Sequence, residues 1–271
     1  MHATNPGVAM VTGASSGIGL ATARALQNAG FRVFGTSRRA NGEKSDGTTM
    51  LACDVTDDES VAKLVERVVT EAGRIDLLVN NAGMGLLGAA EESSTAQAQA
   101  LFDVNVFGVL RTTSAVLPAM RHQGNGRIVN VSSALGLIPA PYSALYASTK
   151  HAIEGYSESL DHELRTFGIR VVLVEPGYTR TAFEENLAKP DLLLDIYDSA
   201  RAGMNAIMRK AIESGDAPEV VARTIVKAAT TPAHKRRYAA GKMARQGSLL
   251  RRFVPESAFD KSLRKQSGLK V

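Results

Sequence analysis

Short apolar runs alternate with amphipathic stretches along the first two thirds of the chain, and this alternation predicts a parallel sheet with helices on both faces. Runs at 8–12, 32–36, 49–53, 75–80, 127–131 and 169–174 read as strands, and the apolar heart of the fourth suits a strand buried on both faces. Between them, 17–29 reads as a helix ended by Gly30. Asp57 is placed to cap a helix to about residue 72, with Val61, Leu64, Val65, Val68 and Val69 on one face. A long helix is predicted over 95–121, with Pro118 kinking its last turn, and another over 143–167. After Pro176-Gly177 the regular alternation stops. About forty residues of short helical patterns precede a helix at 218–230 and a last strand at 237–240. Nothing in the sequence is an internal repeat, a low-complexity tract or a linker, so 1–271 reads as one Rossmann-like α/β domain.

Composition changes this picture little. With 44% hydrophobic residues the chain can bury a core without disulfides or metals, and the lone cysteine, Cys53, suits a reducing compartment. No apolar run of membrane-spanning length and no secretion signal is evident, so the expected location is the cytoplasm. The net charge of +5 is uneven: residues 231–271 carry +9 and the rest −4. A basic tail is not the groove-wide footprint of a nucleic-acid binder. Its mixture of basic and apolar residues fits a solvated or subunit-contacting helix better than a membrane-surface one.

The first strand runs into Thr12-Gly13-Ala14-Ser15-Ser16-Gly17-Ile18-Gly19. Three glycines between a strand and a helix can serve separately: one for the tight turn, one for close approach of a pyrophosphate, one for helix–strand packing. The helix N-terminus that follows offers free N–H groups and partial positive charge to phosphates. Where an NAD enzyme usually places an acid, at the end of the second strand, the sequence has Ser37, followed by Arg38 and Arg39. A guanidinium there can grip a 2′-phosphate through charge-assisted bonds of about 1.5–3 kcal/mol each, which points to NADP(H).

Together with that turn, Asn80-Asn81-Ala82-Gly83, Ser133, Tyr146-Ala147-Ser148-Thr149-Lys150 and Pro176-Gly177 resemble the short-chain dehydrogenase/reductases in order and spacing from about residue 8 to 181. The resemblance implies one domain with a seven-stranded parallel sheet, assembled as a homodimer or homotetramer. Tyr146 and Lys150 stand one helical turn apart and share a face. An ammonium near 5 Å would supply about 3 kcal/mol toward a phenolate at an effective dielectric of about 20, with the oxidised nicotinamide ring providing the remainder of a three-unit lowering. Tyr146 would then exchange a proton with a carbonyl or alcohol oxygen. By resemblance, Ser133 orients the substrate, with Ser132 its neighbouring competitor, and Asn105 holds a water that leads protons to Lys150. Also by resemblance, Asp54 and Val55 meet the adenine, Asn81, Ala82 and Gly83 support the cofactor, and Thr179 and Thr181 after Pro176-Gly177 meet the carboxamide. Asp54, Thr179 and Thr181 could equally be turn caps.

Residues 182–215 fall where the family places its substrate lid, and Phe183, Leu187, Leu192, Leu193 and Ile196 there favour an apolar or bulky carbonyl compound. Residues 241–271 form the basic tail, and from Tyr238 onward they resemble the hydroxysteroid and retinol dehydrogenase branch. Metal chemistry is not indicated. The competing reading is a catalytically silent NADP(H) sensor, though all four of Asn105, Ser133, Tyr146 and Lys150 are present.

Overall fold

The computed structural model describes residues 7–40, 44–183, 187–232 and 235–269. In chain order the elements are β1 (Val8–Val11), α1 (Gly17–Asn28), β2 (Arg32–Ser37), β3 (Lys44–Ser45), β4 (Thr48–Ala52), α2 (Asp58–Ala72) and β5 (Leu77–Asn80). There follow α3 (Thr95–Phe102), α4 (Gly108–Gln123), β6 (Gly126–Val131), α5 (Ala144–Leu164), β7 (Ile169–Pro176), α6 (Asp198–Glu213), α7 (Pro218–Thr230), β8 (Arg237–Ala240), α8 (Lys242–Phe253) and α9 (Glu256–Gln266).

The strands form one sheet in the order β3-β4-β2-β1-β5-β6-β7-β8. Seven are parallel, as the alternating pattern requires; β3 alone runs antiparallel, against β4. Asp46 and Gly47, both with positive φ, link β3 to β4 in a two-residue hairpin. An Asp-Gly pair before an apolar run was a readable signal for it.

Two apolar layers hold the sheet. Leu26 of α1 and Val221 and Ile225 of α7 pack with Ala9, Val11, Val33 and Val129 on one face. Val61 and Val68 of α2, Met120 of α4 and Leu160 of α5 pack with Met10, Phe34, Leu78 and Ile128 on the other. Each such large side chain contributes about 1.5–3 kcal/mol of burial. Through the second layer runs a buried polar thread. Asn80 donates to Thr113 Oγ1 (3.1 Å) and Asn130 Oδ1 (2.9 Å) and accepts from Thr112 (2.7 Å), while Asn130 donates to Ser157 (2.8 Å). It ties two strands to α4 and α5 with its amide groups satisfied, so burial costs little.

The helix expected over 95–121 is interrupted, but not at Pro118, which lies inside the continuous α4. The break is a π-helical stretch at Asp103–Phe107, between α3 and α4. Within the run Thr95–Gln123, an 18-residue window reaches a mean hydropathy of 1.3, apolar enough by length and composition to span a membrane, contrary to the sequence expectation. Here Val109, Val116 and Met120 along it are buried inside the protein. Beyond β8, the tail is two helices. Met243 and Ala244 of α8 pack on Gly177, while Leu249, Leu250 and Phe253 are exposed among its arginines.

Candidate active site

In a parallel sheet every strand delivers its following loop to the same edge, and the crevice lies where the strand order reverses, here between β1 and β5. The loops after β1, β2, β4, β5, β6 and β7 carry nearly all the residues singled out from the sequence.

The glycine turn is built as its spacing implies. Gly13 and Gly17 adopt φ of +66° and +53°, the left-handed region that favours glycine. A Cβ on Gly19 would sit 2.1 Å from the Gly13 carbonyl oxygen and 2.5 Å from Asn81 Nδ2. Asn81 clamps the turn from below: its Nδ2 donates to the carbonyls of Thr12 (3.0 Å) and Gly13 (3.1 Å). The backbone N–H groups of Asn81 and Ala82 both donate to Thr12 Oγ1 at 3.0 Å. Ser15 and Ser16 are exposed and Ile18 packs on the α1–α7 layer. Ser16 caps α1 without a side-chain bond, and the first turn of α1 holds no acid, so its N–H groups and positive end face outward uncompensated.

At the end of β2, the Ser37 carbonyl accepts from Cys53 N–H (3.1 Å), and Arg38 and Arg39 are exposed. Asp54 accepts from the N–H and hydroxyl of Thr56 (3.0 and 2.8 Å). Those bonds, with Arg38 adding to them, hold its carboxyl below the ordinary range. Val55 is buried and packs on Gly108. Past Pro176-Gly177, Thr179 Oγ1 turns back to the Gly177 carbonyl (3.1 Å), whereas the Thr181 side chain lies 3.3 Å from the Cβ position of Gly17, over the glycine turn.

The chemical residues meet beside this cradle. Lys150 Nζ lies 5.7 Å from the centre of the Tyr146 ring, on the same face of α5, and donates to the Val131 carbonyl at the end of β6 (3.0 Å). Ser133, at the start of the next turn, has its hydroxyl close enough to the Tyr146 phenol to favour the phenolate and accepts from Leu135 N–H (3.1 Å). Ser132 points elsewhere, into a buried acidic cluster. Burial pushes the Tyr146 phenol up to about 12, and the Ser133 hydroxyl only moderates this. The expected lowering by Lys150 is therefore not met by the chain's own groups. Lys150 is itself desolvated, pulled down to about 8 despite the opposing charge of Glu154, and its amine is engaged with a backbone carbonyl.

Asn105 is buried in the π-helical stretch. Its Oδ1 accepts from Met84 N–H (2.9 Å) and its Nδ2 donates to the Met84 carbonyl (2.8 Å) and to Thr149 Oγ1 (3.2 Å). The side chain thus pins the loop that continues Asn81-Ala82-Gly83, and a Cβ on Gly83 would come 3.2 Å from its Oδ1.

Over Tyr146 lies Phe183, ring centres 6.0 Å apart. Phe183 and Leu187 also cover Gly85, where a Cβ would be 2.6 and 2.3 Å from them. The lid is pinned by a residue the sequence reading missed. Glu92, fully buried, accepts from the N–H groups of Ala89 (3.1 Å) and Leu194 (3.0 Å) and pairs with Arg201 of α6. Nothing in the polar stretch Glu91-Glu92-Ser93-Ser94 marked one acid as buried. Two surface depressions, one between α2 and α4 and one around Gly7 and Arg74, include none of these residues in their lining. Among the described residues no group of His, Cys, Asp or Glu could hold a metal ion.

The sequence profile of the short chain dehydrogenases matches residues 7–191. The chain is 44% identical to a 3-ketodihydrosphingosine reductase of Bacteroides thetaiotaomicron over 181 residues, 67% of each protein. It is 38% identical to the oxidoreductase YusZ of Bacillus subtilis over 97% of this chain and 99% of that one. With human 17-beta-hydroxysteroid dehydrogenase type 1 it shares 37% identity over 85% of this chain and 76% of that one. Among solved structures, a short-chain dehydrogenase from Streptomyces avermitilis superposes with a TM-score of 0.81 at 33% identity, covering 97% of this chain and 98% of that one. A Brucella melitensis 3-ketoacyl-(acyl-carrier-protein) reductase complexed with NADH gives 0.73 at 26% identity, over 86% and 95%. A Burkholderia cenocepacia short chain dehydrogenase in complex with NADP gives 0.75 at 26%, over 94% and 96%.

Proposed function

The chain belongs to the short-chain dehydrogenase family of oxidoreductases, and from that premise we propose that it is an NADP(H)-dependent enzyme interconverting an apolar ketone or aldehyde and its alcohol, with Tyr146 as proton donor and acceptor. The observation that carries this reading is the meeting of the Tyr146 phenol, the Ser133 hydroxyl and the Lys150 amine beside the glycine turn.

The residues present fit a dinucleotide. Gly13 and Gly17 take the positive φ the tight turn needs, Gly19 lets the turn close against its own helix, and the first turn of α1 presents unpaired N–H groups without a carboxylate. Gly13 to Gly19, with Thr181 over them, and the loop of Asn81, Ala82 and Gly83 would hold the pyrophosphate side, and Thr179 after Pro176-Gly177 would meet the nicotinamide end. Arg38 and Arg39 at the end of β2, with no acid at Ser37, favour a 2′-phosphate. The bound nicotinamide supplies hydride in one direction and takes it up in the other.

The protein's own part is proton and charge management. A phenol held at about 12 keeps its proton at neutral pH, which suits donation to a carbonyl oxygen as negative charge develops there. Ser133, beside that phenol, is placed to hold the same oxygen and oppose its charge. Lys150 stands one turn away, and its ammonium attracts negative charge, favouring phenolate when the reaction runs toward the ketone. Phe183 and Leu187 exclude water over the reacting centre and supply an apolar wall for the substrate. We read the assembly as a homodimer or homotetramer.

The test is an NADPH-oxidation screen across ketones, aldehydes, quinones and steroids, run beside Tyr146→Phe. Loss of the phenol removes a positioned proton donor and should lower kcat/KM by about 10²–10⁴-fold. Turnover that survives in Tyr146→Phe refutes the assignment. A protein that binds NADPH but turns over nothing in the screen supports the silent sensor instead.

A further inference from the structure

One turn beyond Lys150, α5 carries Glu154, buried to 4%, and a further turn on, the half-buried Glu158. Across from them β7 contributes Glu175, 2% exposed, and β8 contributes Arg237. Arg237 Nε donates to Glu154 Oε2 at 2.8 Å and lies 3.2 Å from Glu175 Oε1, while its Nη1 donates to Glu158 at 2.7 Å. Three carboxylates therefore share one guanidinium, and full ionisation would leave two uncompensated negative charges in a mostly buried space.

The geometry of the orphaned oxygens says how that excess is relieved. Arg237 aims its Nε–H at Glu154, so the contact with Glu175 is an ion pair without a hydrogen bond. Oε1 of Glu154, Oε1 of Glu175 and Oγ of Ser132 are buried and without a hydrogen-bond partner among the described residues. Ser132 Oγ and Glu154 Oε1 crowd one spot, 2.6 and 3.0 Å from where a Gly136 Cβ would be. Excess buried acceptors around too few donors favour retention of a proton on one carboxyl. Burial pushes Glu175 up to about 7, with Glu154 adding to the rise and Arg237 opposing it.

This cluster lies behind the site and borders it three times: Glu154 is a turn from Lys150, Ser132 adjoins Ser133, and Glu175 precedes Pro176-Gly177. We propose that Glu154, fixed by Arg237 beside Glu175, is a positioning residue that keeps the Lys150 amine charged beside Tyr146. The inference rests on Tyr146 and Lys150 being the reacting pair. Its sign follows from charge alone. A negative Glu154 favours the ammonium against the burial that disfavours it, and the cluster grows more negative as pH rises through the Glu175 titration. The charged groups facing the cluster are Glu154 and Glu158 from α5, Glu175 from β7 and Arg237 from β8.

The test is titration of the Lys150 Cε resonance in protein labelled with ε-¹³C lysine, assigned by its loss in Lys150→Arg and read without cofactor. Glu154→Gln should lower the Lys150 midpoint by about one pH unit or more, and Glu154→Asp should largely restore it. Glu158→Gln should leave it in place. Glu175→Gln provides a second, independent variant: it should abolish the small inflection near pH 7 that the Lys150 resonance shows as Glu175 titrates. In turnover, the alkaline limb of kcat/KM should move down with Glu154→Gln by the same amount. A Lys150 midpoint unmoved in Glu154→Gln, or an inflection that persists in Glu175→Gln, overturns the proposal. A moved midpoint with an unmoved rate limb overturns instead the assignment of Lys150 to the reaction.

Discussion

Gly19→Ala sets two rules of protein stability against each other at one atom. Gly19 lies in the first turn of α1, where exchange for alanine ordinarily stabilises a helix by about 1 kcal/mol. Here the new methyl would lie 2.1 Å from the Gly13 carbonyl oxygen, roughly 1 Å inside normal contact. Neither neighbour can yield cheaply. One is backbone of the turn, and the other is Asn81 Nδ2, which holds the Thr12 and Gly13 carbonyls. Overpacking costs about 1–3 kcal/mol, and loosening two hydrogen bonds about 0.5–1.5 kcal/mol each. After subtracting the propensity gain, the net loss is about 1–5 kcal/mol, centred near 3 kcal/mol. A chain of this size should then melt roughly 5–10 °C lower. Gly155→Ala is the control: it sits mid-α5, its Cβ would meet nothing within 4 Å, and it should gain the propensity term. Thermal melts of the two variants, with NADPH affinity by titration calorimetry, decide the matter. A Gly19→Ala protein that melts at or above wild type and binds NADPH equally well refutes the reasoning.

Two further outcomes follow. Ser37→Asp with Arg38→Gln should swing the NADPH-to-NADH affinity ratio by about tenfold or more toward NADH, since one charge-assisted bond of about 1.5–3 kcal/mol is lost and repulsion of the 2′-phosphate is added; a ratio within twofold of wild type contradicts the NADP(H) reading. Asp161 is buried under Arg165 and Arg170 and accepts from Val171 N–H. Burial alone would raise its carboxyl, but the arginine bonds outweigh this and hold it far below the ordinary range. A depressed folded value means the stabilisation is present above the unfolded value near 4 and fades as pH falls below it. Asp161→Asn should therefore cost about 3 kcal/mol at pH 7, and the gap in melting temperature should narrow only below about pH 4; a gap unchanged at pH 3 sinks the argument.

The parallel sheet and the cradle were legible because their signals are local. Apolar runs, a glycine turn and a Tyr–Lys pair one helical turn apart each declare themselves within a dozen residues. Asp57 capping α2 is likewise readable from its neighbours, and it accepts from Glu59 and Ser60 N–H groups as expected. What escaped was non-local or depended on hydrogen-bond phase. Glu92 becomes a lid anchor only because Leu194 and Arg201, about a hundred residues on, arrive beside it. Glu154, Glu175 and Arg237 look like ordinary surface charges until β7 and β8 pair. The burial that raises the Tyr146 phenol in the protein without cofactor is absent from a Coulomb estimate made from spacing. Pro118 suggested a kink from the sequence, yet the irregularity lies at Asp103–Phe107, where no proline or glycine marks it.

That π-helical segment has an evolutionary corollary. It accommodates one residue more than a regular helix would, and a single deletion within 103–107 would heal the geometry at little local cost. Yet each residue of a helix turns about 100°, so the repair would rotate everything upstream relative to everything downstream. Either Asn105 would swing off the Met84 backbone, or Thr112 and Thr113 would leave Asn80. The irregularity is thus a phase adjuster between two interlocked polar contacts, and lineages carrying this architecture should tolerate substitutions there, Asn105 excepted, far more readily than changes in length.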